Sequence, residues 1–365
     1  MSNDLLYKIG ITLLEGVGDI NAKKLIASCG SAEAVFKAKK EHLLKIEGIG
    51  EYIAQSVVKQ KVLQRAETEI KFITNNKIRP VFYLDNEYPQ RLKQCTDAPV
   101  MLYYKGNANL NNRKILSIVG TRKATEYGKQ FCAKLITELK QFNPLIVSGL
   151  AYGIDICAHK ESLKNDIETV AVVAHGLDMI YPGQHKATSE KMIKQGGILT
   201  DFISGTKPDR ENFPKRNRIV AGMCDAVIVV EAGITGGALI TAEIANSYSR
   251  DVFALPGRVG DEFSAGCNKL IKINKAALIE SVDDIVYLLG WLQEDIKASR
   301  QTKLFVELSD EEQTLVDYLK DKGTLPIDEL CYATNIPMSR AASLLLNLEF
   351  NGVIKSLPGK MYQLN

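Results

Sequence analysis

Between residues 115 and 255 the chain repeats one pattern: a short aliphatic run, a glycine-bearing turn, then an amphipathic segment long enough for a helix. The runs are Ile115–Val119, Leu145–Ser148, 170–174, 226–230 and 252–255, and nearly every residue in them is apolar. Strands that read this way are covered on both faces, as happens when helices cross over both sides of a parallel sheet. Helix candidates fall between them, at 126–140 and 237–249 among others. The pattern predicts a doubly wound α/β domain, whose ligands bind in the turns at the carboxyl ends of the strands.

The flanks follow other rules. Residues 1–76 show apolar residues at helical spacing over 4–14 and 52–73. Within them Gly16-Val17-Gly18 precedes Ala22 and Gly48-Ile49-Gly50 precedes Ala54, one motif repeated at an offset of 32 residues, which resembles a tandem helix-hairpin-helix module. The glycines permit the tight turn, and the amides at the next helix start suit a nucleic-acid phosphate, although Asp19 and Glu51 compete for the same amides. Contact with DNA and a purely structural hairpin both stay open. The α/β domain is expected over 77–292 and a charged linker over 293–306. From 307 to 365, a capping box at Ser309–Glu312, helices at Ile327–Thr334 and Met338–Phe350, and strands around Pro358-Gly359 outline a winged helix. Its presumed recognition helix offers only Arg340 as a cation, which favours packing or contact with a protein over reading DNA.

Composition removes several classes. Forty-six Lys and Arg against 43 Asp and Glu leave a net charge of +3, so a nucleic-acid site has to be a local patch. The seven cysteines lack any Cys-x-x-Cys pair, which speaks against zinc and against a disulfide framework and suits reduced thiols in a cytoplasm. Asp4 and Lys8 interrupt the first apolar stretch, so no signal peptide is expected, and no apolar run reaches the ~18 residues of a membrane span.

Four turns of the α/β domain carry candidate chemistry. Gly120-Thr121-Arg122-Lys123 follows the first strand, but the G-x-G-x-x-G of a dinucleotide site is absent. An arginine at a helix start suits a phosphate oxyanion, or is simply solvated. Ser148-Gly149 opens the second turn, and Asp155 and His159 stand one helical turn apart on the segment that follows, where a structural hydrogen bond is a better reading than a metal or acid–base pair. Residues 210–218 gather Arg210, Lys215, Arg216 and Arg218 with Asn217 and Phe213. Cations neutralise phosphates, and an exposed ring stacks on any base, unless Phe213 turns into the core. Thr235-Gly236-Gly237 allows close backbone approach to a phosphate, and Asn268 and Lys269 point to the same edge.

These motifs, with Leu255-Pro256-Gly257, occur in the order found in the DNA-processing protein A (DprA/Smf) family, which the stretch from about Tyr88 to Ile271 closely resembles. The resemblance implies an extended Rossmann fold flanked by helix-hairpin-helix and winged-helix modules. It implies a cytoplasmic, non-catalytic dimer without cofactor that binds single-stranded DNA during natural transformation. It further implies delivery of a RecA-type recombinase and displacement or bypass of single-strand binding protein. On that resemblance, Arg122, Lys215, Arg216 and Arg218 meet phosphates, Phe213 meets a base, Gly120, Ser148, Gly236 and Gly237 supply backbone or hydroxyl donors, and Arg210 flanks them. The alternative is a nucleoside-monophosphate phosphoribohydrolase, whose P-G-G-x-G-T-x-x-E motif survives here only as Gly236, Gly237 and Glu243.

Overall fold

The structure, a computed structural model, describes residues 3–291, 308–357 and 361–364. The expected linker at 293–306 and the Pro358-Gly359 turn lie outside the described residues. Two compact units are formed, Met1–Ile285 and Val286–Asn365.

The first unit opens with six helices, α1 (Asn3–Thr12), α2 (Asp19–Cys29), α3 (Ala32–Lys37), α4 (Lys40–Leu43), α5 (Glu51–Lys59) and α6 (Leu63–Asn75). The repeated glycines do what the motif needs: Gly16 and Gly48 turn at φ +76° and +84°, and Gly18 and Gly50 cap α2 and α5. The sheet follows, as β1 (Arg79–Phe82), β2 (Met101–Gly106), β3 (Ile115–Val119), β4 (Leu145–Ser148), β5 (Thr169–Val172), β6 (Gly196–Thr200), β7 (Ala226–Val229), β8 (Asp251–Ala254) and β9 (Ala277–Leu278). Among the described residues these nine strands form one sheet in the order β1-β2-β6-β5-β4-β3-β7-β8-β9. The two pairings that involve β2 are antiparallel and the others parallel. The expected parallel core is therefore present, extended by an antiparallel edge that the aliphatic runs do not announce.

The crossovers set the helices on both faces. One face carries α8 (Glu126–Leu139), α9 (Ile154–Lys164) and α10 (Lys186–Lys194), packed side by side, and the other carries α11 (Asn212–Gly222) against α12 (Gly237–Ser247). The short α7 (Gln90–Lys93) touches α11, and α13 (Ala265–Lys272) and α14 (Val282–Leu288) follow the last strands. The six N-terminal helices share one apolar core with the edge: Ile9, Leu25 and Phe36 pack in the same cluster as Phe82, Met101 and Tyr103.

In the second unit Ser309 caps α15 (Asp310–Lys322) in a reciprocal box with Glu312. Then come β10 (Leu325–Pro326), α16 (Ile327–Thr334), α17 (Met338–Phe350), β11 (Ile354–Leu357) and β12 (Met361–Leu364), the winged-helix order, around Leu315, Leu330, Leu345 and Ile354. Among the described residues no helix is long and apolar enough to cross a membrane.

Candidate nucleic-acid interface

Strand order reverses at β3, with β4 on one side and β7 on the other, and there the carboxyl ends of the strands open on a cleft of about 430 Å3. The turn after β3 forms one wall. Thr121 donates its N–H to the Glu231 carbonyl at 2.7 Å and accepts from Ile154 N–H at 3.2 Å, tying the turns after β3 and β7 to the head of α9. The buried Glu231 carboxylate accepts from the backbone and hydroxyl of Thr125, which caps α8 through Gly128 N–H at 3.3 Å. Arg122 and Lys123 thus stand exposed on a braced turn. The opposite wall is Thr235-Gly236-Gly237 at the head of α12, where Gly236 takes φ +151°, a conformation that admits little but glycine.

Asp155 and Arg216 form the floor. The Asp155 carboxylate accepts from Gly149 and Ala151 N–H at 3.2 and 3.3 Å, and Arg216 donates to the carbonyls of Gly149, at 2.7 Å, and Val172. A Cβ on Gly149 would stand 2.4 Å from the guanidinium, so the close approach needs glycine. Burial pushes the Asp155 carboxyl up and the Arg216 guanidinium down to about 10, each partly offset by the other's charge, and Arg216 stays cationic at neutral pH. Its Nε is buried with no hydrogen-bond partner among the described residues.

At the mouth, the Arg122 guanidinium lies 5.3 Å from the centroid of the half-buried Phe213 ring, a cation–π contact. Tyr181, 42% exposed, tilts against Phe213 with centroids 6.4 Å apart. Its backbone N–H donates to His175 Nε2 at 3.2 Å, while His175 Nδ1 donates to the Gly176 carbonyl at 2.8 Å, which fixes a neutral tautomer; burial holds that imidazole below its ordinary pKa. No sequence motif singled out Tyr181; an aromatic before proline in the turn after a strand was the available signal.

The cleft collects Gly120, Thr121, Arg122, Lys123, Gly149, Phe213, Arg216, Asn217, Thr235, Gly236 and Gly237, and Arg210 lines an adjoining hollow of about 400 Å3 beside Arg122 and Phe213. The remaining expected residues lie elsewhere. The Ser148 hydroxyl is buried and donates to Ile118 O at 2.6 Å. Arg218 donates to Asp97 O, to Asp19 and Asp201 carboxylates at 2.9 Å each, and to Lys215 O at 3.1 Å, so the fold uses its guanidinium. Asn268 pairs in both directions with the Gly257 backbone, fixing the Leu255-Pro256-Gly257 turn. Lys215 and Lys269 are exposed away from the cleft. Arg216, expected on a phosphate, is only 5% exposed, because the helix period turns it inward from Lys215.

Asp155 and His159 take separate partners. His159 Nδ1 lies 2.7 Å from the Thr169 hydroxyl, and burial lowers its pKa to about 3, leaving a neutral imidazole. Among the described residues no cluster of three or more His, Cys, Asp or Glu is arranged to hold a metal. In the helical module Asp19 accepts from Val100 N–H at 2.8 Å and from Arg218, so the start of α2 faces its own α/β domain, while Glu51 pairs with Lys40. On the winged helix Arg340 pairs with Glu311 at 2.8 Å, and Met338, Leu346 and Phe350 stand exposed on α17.

Residues 79–290 match the family model for DNA recombination-mediator protein A, 4–60 the helix-hairpin-helix motif and 302–360 the DprA winged helix domain. The chain is 31% identical to protein Smf of Synechocystis, with 99% of each chain covered. It is 41% identical to the DNA processing protein DprA of Streptococcus pneumoniae across 56% of this chain and 71% of that one. The solved structure of the pneumococcal protein superposes with a TM-score of 0.68 at 32% identity, covering 79% of this chain and 98% of the other. DNA processing protein A of Helicobacter pylori, described for its single-stranded DNA binding mode, superposes at 0.53 and 29% identity, covering 58% and 95%.

Proposed function

The chain belongs to the DNA recombination-mediator protein A family, and on that premise we propose that it binds single-stranded DNA, without catalysis, in the cleft beside β3 and β7. The observation that carries this reading is the Arg122 guanidinium on the Phe213 ring at the mouth of a glycine-walled pocket. Phosphate charge is met by Arg122, Lys123 and the turn amides, and a base by the ring; none of these reads a base edge, so binding is independent of sequence. Arg210 flanks the strand. Arg216, Arg218, Ser148 and Asn268 act by holding the turns. The H. pylori relative, described for its binding of single strands, supports the same ligand here.

A hydrolase reading finds little support. Glu243, the carboxylate it would use, stands on the exposed face of α12 in an ion pair with Lys275 at 2.6 Å, outside the cleft. A cytoplasmic dimer that hands the strand to a RecA-type recombinase, in place of single-strand binding protein, completes the proposal.

Band shifts with single- and double-stranded DNA of mixed sequence test it. Preference for single strands is expected, with log affinity falling against log salt and Arg122→Ala flattening the slope by about 0.7. Equal affinity for duplex, or binding confined to one sequence, overturns the reading. Incubation with AMP should release no adenine; release abolished by Glu243→Gln would transfer the function to the phosphoribohydrolase class.

A further inference from the structure

A second cationic surface lies away from the cleft. The exposed faces of α9 and α10 enclose a groove of about 690 Å3, with Lys160 and Lys164 on one rim, Lys191 and Lys194 on the other, and Leu163 and Gln195 between them. Among the described residues several helix lysines are neutralised where they stand, as in Lys8–Asp4, Lys37–Glu33 and Lys134–Glu138. In the groove Lys164 pairs with Glu161 at 3.3 Å, whereas among the described residues Lys160, Lys191 and Lys194 form no ion pair. Three uncompensated ammonium groups along one furrow repel one another unless an anion lies between them.

The groove lysines lie on the second halves of α9 and α10, beyond the edge where the cleft opens. Both helices start at the carboxyl edge of the sheet, and their heads meet where the exposed Tyr152 ring sits edge-on to His185, centroids 5.1 Å apart. Tyr181, beside Phe213, lies four residues before His185 on the same segment. A strand leaving Phe213 thus crosses exposed rings before it reaches the lysines. The spacing of packed helices, ~8–10 Å, suits one backbone rather than a duplex. The Gln195 amide donates to Ile167 O at 3.0 Å, fixing the floor. Lysine offers charge without a planar fork, so the furrow selects a phosphodiester backbone and no particular base.

We propose that the α9–α10 groove is a second binding site for single-stranded nucleic-acid backbone, separate from the cleft, so that the chain grips a longer strand than the cleft alone spans. The proposal rests on the reading of the cleft given above. The lysines of each rim, Lys160 and Lys164 on α9 and Lys191 and Lys194 on α10, stand about one helical turn apart.

The test is fluorescence anisotropy with oligo-dT of six and of twenty-five nucleotides, using the full chain, Lys160→Ala/Lys191→Ala/Lys194→Ala, and Lys129→Ala/Lys134→Ala on α8 as a charge control. The groove variant should bind the six-mer as the parent does. It should bind the twenty-five-mer about tenfold more weakly, with the salt slope lower by about 2, that is, roughly 0.7 for each of three lost contacts. The α8 control should change neither. The groove assignment falls if the twenty-five-mer is bound unchanged, if both oligonucleotides lose equally, or if the control loses as much. Arg122→Ala keeps the two readings apart: it should weaken both lengths. A parent chain that binds neither oligonucleotide overturns the cleft reading and the groove with it.

Discussion

Arg122 and Arg216 are both arginines at one cleft, yet the first rests on the Phe213 ring at the mouth and the second is sealed beneath the floor between two carbonyls. A string of cations in sequence does not distinguish them; the helix period does, since α11 turns successive residues by about 100° and Lys215 and Arg216 cannot share a face. The turns after β3, β4 and β7 were legible because each sits after a readable strand, whereas Tyr181 was not, because an isolated aromatic in a turn has no periodicity to mark it. Phe213 separates stacking from charge. Phe213→Ala should weaken single-strand binding by about 1–3 kcal/mol with a nearly unchanged salt slope, and Phe213→Trp should retain it. Its melting should shift far less than the ~3–5 kcal/mol of an emptied core site. A variant that melts much earlier but binds normally when folded would return the ring to the core.

Arg218 does for the elements what Arg216 does for the floor. From α11 it reaches Asp201 just beyond β6, Asp19 at the head of α2 and the Asp97 carbonyl ahead of β2, and the Tyr248 hydroxyl closes the knot on the Asp97 carboxylate at 2.5 Å. The flanking carboxylates hold its guanidinium charged, while burial pushes the Asp201 carboxyl up. Arg218→Ala leaves Asp201 buried and uncompensated, which should cost about 3–5 kcal/mol in denaturant unfolding and loosen hydrogen exchange in α2. Arg218→Lys should recover only part, lacking the fork. Unchanged stability in Arg218→Ala would mean the knot is incidental. None of this was readable in the strand pattern. β3 and β4 were delimited to the residue, and β5, β7 and β8 within a residue or two, because parallel interior strands are written in aliphatics. β6 begins Gly196-Gly197, poor strand formers, and glycine is needed there because a Cβ on Gly197 would stand 2.4 Å from the Tyr104 ring. Its antiparallel partner β2 pairs Tyr104 with Leu199, a register that neither segment specifies alone.

The two units make different demands on a ligand. The first contains the cleft and the basic groove; the second pairs its one recognition-helix cation with Glu311 and exposes apolar side chains instead. A chain ended after residue 291 should therefore bind single strands with the affinity and salt slope of the full chain. A loss of tenfold or more, with native melting of the first unit, would assign the winged helix to the strand. Within the first unit, the knot at Arg218 joins residues 199 positions apart. At a synthesis rate of ~5–20 residues per second, α2 leaves the ribosome about 10–40 s before the arginine that anchors it exists. For that interval the first helices have β1, β2 and the segments around Leu177 and Ile203 to pack on, but not the arginine that locks α2. The order of appearance makes the N-terminal helices the segment a translating cell has to shield.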